Sequence, residues 1–115
     1  MSTNDEKIEN QRKREYLSKE LDNFTFYNRQ IPKRMRGGII RYIVDRIPPG
    51  DFLTSVMTND LKRAITFADD ENMWIIPVYI AFFYNKVPSS IYGNKENFNN
   101  HLERRDIINE DWKWA

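Results

Sequence analysis

The chain has 115 residues, of which 40% are apolar, 14% aromatic and 30% charged, and its acids and bases nearly cancel at a formal net charge of +1. That length suits one domain with a modest core and excludes two. The aromatic share argues against a disordered chain, and the charge balance argues against strong non-specific attraction to nucleic acid. With no cysteine, disulfides and thiolate metal sites are excluded.

The N-terminal stretch "MSTNDEKIEN" is polar and does not read as a secretory signal. Residues 3 to 23 alternate in charge and suit a helix. Their few apolar positions (Ile8, Tyr16, Leu17, Leu21) predict an exposed helix, loose at its start, that docks only near its end. Residues 1–23 are therefore read as a charged N-terminal helix and 24–115 as a single helical domain. "NFTFYNRQI" is aromatic and β-prone, an extended connector or a short strand.

Pro32 suits the first turn of a helix. Met35, Ile39, Ile40, Ile43 and Ile47 follow at helical spacing, and Pro48, Pro49 and Gly50 end the run. Asp51 is a candidate cap for the next short helix, and Thr58 or Asn59 for another that carries Leu61, Ala64, Ile65 and Ala68 on one face. Asp69 and Asp70 suit a third helix start. "MWIIPVYIAFFY" is apolar all round, which predicts a helix buried centrally or in an oligomer interface, starting near Ile76 or kinked at Pro77. The longest uncharged run, Asn72 to Asn85, falls short of the about 20 apolar residues of a membrane span. A last short helix, capped near Asn94, carries Phe98 and Leu102 inward. The expected fold is all-α: a compact single-domain bundle of about five to six short helices around a central apolar helix.

No motif for catalysis stands out. The single histidine, His101, lies near Glu103 and Arg104 and reads as a surface residue. The chain lacks the ligands of a zinc site, and Asp69, Asp70 and Glu71 do not have calcium-loop spacing. The reading is non-enzymatic, with no cofactor and no metal; the enzymatic alternative is a metal-dependent phosphoesterase built from acidic residues and arginines.

Charge distribution says more than its total. Residues 29 to 46 are basic and residues 51 to 72 acidic, so the two segments are candidates to face each other, within or between subunits. In helical projection Arg34, Gly37, Gly38 and Arg41 lie opposite the isoleucine face. Two arginines would then frame a strip without side chains. That strip suits a phosphate-bearing ligand or close approach of another helix. Tyr42 and Tyr92 are candidates to stack on a base. Trp74, Phe82, Trp112 and Trp114 are candidate partner or oligomer contacts.

The stretch "MRGGIIRYIVDRIPPGDFLTSVMTNDLKRAITFADDEN" followed by "FFYNKVPSSIYG" resembles a widespread family of small phage and prophage proteins. Arg41, Tyr42, Pro49, Gly50, Phe52, Leu53, Asn59, Asp60, Leu61, Asp69 and Asn72 occupy its motif positions. The chain departs from the pattern at Arg46, where the family usually has glycine, and at Tyr92, where it usually has tryptophan. The resemblance implies a viral protein acting in the cytoplasm of an infected bacterium. By analogy with small helical phage proteins, it implies a counter-defence sponge that sequesters a nucleotide-derived immune signal, usually as a homo-oligomer. The alternatives are a nucleic-acid-binding accessory protein of phage replication or regulation, and a structural protein-interaction module, including one that binds a host protein. No membrane role is expected.

Overall fold

A computed structural model describes residues 4–104 of the chain. Trp112 and Trp114 lie outside the described residues. The described chain is all-α, with seven α-helices around one core, somewhat more than the five to six that the spacing suggested.

Helix α1 (Asn4–Asn23) carries Asp5 and Glu6 in its first turn, where the helix dipole favours negative charge. It buries only Leu17 and Leu21, so it meets the rest of the molecule at its C-terminal half. The aromatic connector that follows is a tight turn and not a strand. Phe26 and Arg29 exchange backbone hydrogen bonds of 3.0 and 3.1 Å. Tyr27 and Asn28 between them have φ of 51° and 63°, the left-handed pair that a twisted two-residue turn requires.

Helix α2 (Lys33–Ile40) runs into a wider π turn (Arg41–Asp45). The helix ends at Arg46, which adopts the left-handed conformation (φ 58°, ψ 40°), and so stops before the prolines are reached. Gly50, not Asp51, is the N-cap of α3 (Asp51–Met57). Helix α4 (Leu61–Phe67) is capped by Asp60, whose carboxylate accepts the Arg63 N–H at 3.2 Å. The expected caps Thr58 and Asn59 are displaced because Asn59 takes up a left-handed φ of 60° that turns the chain between the helices. Asp69 caps the short α5 (Asp70–Met73) by accepting the Asn72 N–H at 2.8 Å. Helix α6 (Ile76–Lys86) begins at Ile76 with Pro77 in its first turn, so the proline starts the helix and does not kink it. After a 3-10 turn (Ser89–Ile91), α7 (Lys95–Leu102) is capped by Asn94, which accepts the Asn97 N–H at 2.7 Å.

Helix α6 supplies the centre of the core through Val78, Tyr79, Phe82 and Phe83. Phe24 packs edge-on against Phe82 at 5.4 Å and Phe52 against Tyr79 at 5.3 Å, the geometry that aromatic quadrupoles favour. The Tyr79 hydroxyl donates to Asn72 Oδ1 at 2.6 Å. This satisfies both buried polar groups, and burial pushes the Tyr79 phenol pKa well above its ordinary range. On the other side of α6, Ile80 and Tyr84 are 47% and 80% exposed.

Candidate interaction surface

The strip between Arg34 and Arg41 is already filled. Arg34 Nη2 donates to Asp69 at 2.7 Å and to Glu71 at 2.9 Å. The basic and acidic segments thus do face each other, and they do so within one chain. The Asp69 carboxyl is held below the usual carboxylate range, first by the Asn72 N–H and further by the Arg34 guanidinium. A methyl group built on Gly38 would sit 3.2 Å from Leu53 Cδ1, so this glycine lets α2 approach α3. One built on Gly37 would sit 2.9 Å from Arg41 Nη1, because the Arg41 guanidinium folds back over that glycine. Of the two uses of the bare strip, helix contact accounts for Gly38, and a side chain of the same helix accounts for Gly37.

Tyr42 lies in the core. It is fully buried, stacks on Phe98 at 5.0 Å and donates its hydroxyl to the Ile91 carbonyl at 2.6 Å, so its ring is not presented to a ligand. Ile47, counted on the isoleucine face, lies past the left-handed Arg46 that ends the helix and is 47% exposed. His101, expected at the surface, is fully buried. Its Nε2 lies 2.8 Å from the Tyr42 carbonyl. A carbonyl can only accept, so Nε2 carries the proton. Arg46 Nη1 donates to the His101 carbonyl at 2.9 Å, which ties the end of α7 to the end of the π turn.

Tyr92 is half-buried with its ring 5.5 Å from Phe83, and burial raises its phenol pKa. Phe82 is fully buried and serves the core, not a partner. Trp74 is the candidate contact that the structure leaves open, at 75% exposure.

Other apolar side chains are exposed as well. On α4, Ala64 is buried while Leu61 and Ile65 are 64% and 45% exposed. On α6, Ile80 is 47% exposed. An open groove of about 200 Å³ runs between these helices, lined by Val56, Leu61, Ala64, Ile76 and Ile80 together with Ser55, Asn59 and Asp60. Leu61, Ala64, Ile65 and Ala68 have the spacing of one helix face. In the folded chain α4 packs chiefly on α3, which covers the Ala64 side and leaves Leu61 and Ile65 in water. Leu61 and Ile80 thus stand exposed on the two sides of one groove, and clustered exposed apolar surface marks an interaction site more often than scattered single residues do.

The cleft of about 480 Å³ between α1 and the π turn is polar and contains the Arg14–Asp45 ion pair at 2.6 Å. Among the described residues, no group of three or more His, Asp or Glu side chains is placed to hold a metal ion. No helix among them is long and apolar enough to cross a membrane. No protein-family model, curated protein or solved structure matches the chain.

Proposed function

We propose that the chain is a non-enzymatic interaction protein whose working surface is the apolar face of α4 and α6, buried in use against another protein. The observation that carries this reading is the groove in which Leu61 and Ile80 stand exposed beside Ile65. Each such side chain contributes about 1.5–3 kcal/mol when removed from water completely, and left exposed it gains nothing for the fold. Trp74 adds a large exposed anchor of the type enriched in binding hot spots. The phage resemblance accords with a protein that acts by binding in a host cell.

The sponge reading finds less support. Its phosphate grip would require Arg34 to leave two carboxylates at 2.7 and 2.9 Å, and its stacking ring Tyr42 is buried. Arg41, exposed over Gly37, is the basic side chain of the strip still open to a phosphate.

Paired photo-crosslinking tests the choice of surface. Benzoylphenylalanine is placed at Ile80 in one sample and at Arg41 in another, and each protein is produced in bacterial cells and irradiated. Protein adducts at Ile80 and none at Arg41 are expected. Adducts confined to Arg41 would overturn the assignment.

A further inference from the structure

We infer that the occupant of the α4–α6 face is a second copy of this chain, joined about a two-fold axis with α4 antiparallel to its counterpart. The inference rests on the reading of that face as protein-binding and adds the identity of the partner.

The charges at the two ends of α4 carry the argument. At its start, Asp60 caps the helix and lies 3.5 Å from Arg63. Lys62, between them, is exposed and has no ion pair among the described residues. Beyond its end, Asp69 and Glu71 both engage Arg34. Asp70, between them, is likewise exposed with no ion pair among the described residues. Each end of α4 therefore holds one satisfied intrachain pair and one uncommitted charge, and the two uncommitted charges have opposite sign.

Both border exposed apolar side chains. Lys62 is one helical turn from Ile65, and Asp70 is one turn from Met73 and Trp74. A seven-residue helix is about 10 Å long, with Lys62 in its first turn and Asp70 three residues beyond its last, so along the chain the two charges bracket Ile65. A partner of uniform charge would match one end and repel the other. A surface that meets its own copy about a two-fold axis must be its own complement. Reversing α4 against α4 does this: Lys62 of each copy faces Asp70 of the other, giving two symmetric pairs, with Leu61 and Ile65 enclosed between them. The exposed apolar residues supply affinity, and the paired charges set the antiparallel direction.

The test uses the whole purified chain in light scattering and sedimentation equilibrium over a wide concentration range. The expected mass is twice the 13.9 kDa of the chain. Ile65→Asp should give a monomer with an unchanged circular dichroism spectrum. Lys62→Glu and Asp70→Lys should each weaken the dimer about tenfold, since one reversal spoils both symmetric pairs. The double exchange should return most of that loss. The rescue shows that the fold survives each substitution, because only a folded chain can recover its dimer.

A wild-type chain that stays monomeric at every concentration overturns the second-copy inference. It leaves the protein-binding reading standing if Ile80 still crosslinks to another protein in cells. A dimer unmoved by Ile65→Asp and by both charge reversals overturns the inference, and with Ile80 adducts absent it overturns the choice of face as well.

Discussion

The Arg34 guanidinium donates to Asp69 at 2.7 Å, tying the start of α2 to the residue that caps α5. Asp69 thus has two duties, as acceptor for the Asn72 N–H and as partner of a cation. Both favour its ionised form. A carboxyl with a depressed folded pKa contributes stability above its unfolded value, which is about 4, and that contribution is lost as pH falls through the folded pKa. Thermal melts from pH 7 downward should show this acid loss, and Asp69→Asn should flatten it. Arg34→Ala should lower the melting temperature less than Asp69→Ala, because it spares the cap.

The two adjacent glycines should respond in opposite ways. Gly37→Ala meets only the end of the flexible Arg41 side chain and gains helix propensity, for a net stabilisation of about 0.5 kcal/mol. Gly38→Leu drives bulk into Leu53 across the α2–α3 contact and should cost about 1–3 kcal/mol. Urea denaturation of both variants measures the difference. A ligand notch at this strip would leave that gain in place and make Gly37→Ala harmful for binding.

Arg46 combines a strained backbone with a useful side chain. Its left-handed φ of 58° disfavours any residue with a Cβ, while its guanidinium holds the His101 carbonyl. Arg46→Ala keeps the strain and loses the bond. Arg46→Gly loses the bond but removes the strain, so it should be the more stable of the two by about 1 kcal/mol. Both should fall below the natural chain in urea midpoint, since a hydrogen bond from a charged donor contributes about 1.5–3 kcal/mol.

Leu61→Lys and Ile80→Lys place charge on the open face and should leave stability within about 0.5 kcal/mol of the natural chain. The same substitutions should reduce binding of a hydrophobic dye such as ANS. Loss of several kcal/mol would mean that these side chains serve the core and that the face is not available to a partner.

Much of the fold was legible from breakers and caps. Asp69 and Asn94 sit where a helix needs an acceptor for its first free N–H groups, and Pro77 sits where a missing N–H does no harm. The block of bases followed by a block of acids correctly foretold the Arg34 ion pairs. Projection along one helix could not supply contacts between elements: Tyr42 is covered by Phe98 and the Ile91 carbonyl, and His101 meets the Tyr42 carbonyl. The strip's glycines could be placed on one face, yet their neighbour Leu53 belongs to another helix, and sequence spacing cannot supply that contact. The exposure of Leu61 and Ile65 was not legible for a related reason. Spacing tells which side chains share a side, while coverage depends on how α3 and α6 are arranged around them.

The most direct test of the α4–α6 face is an isotope-filtered NOE experiment on an equal mixture of methyl-labelled and unlabelled chain, at about 1 mM so that even a weak complex forms. Cross-chain signals are expected from the methyl groups of Leu61, Ile65 and Ile80. Cross-chain signals centred instead on the exposed Ile8 or Ile47, or none at all, would contradict the pairing of two chains through this face.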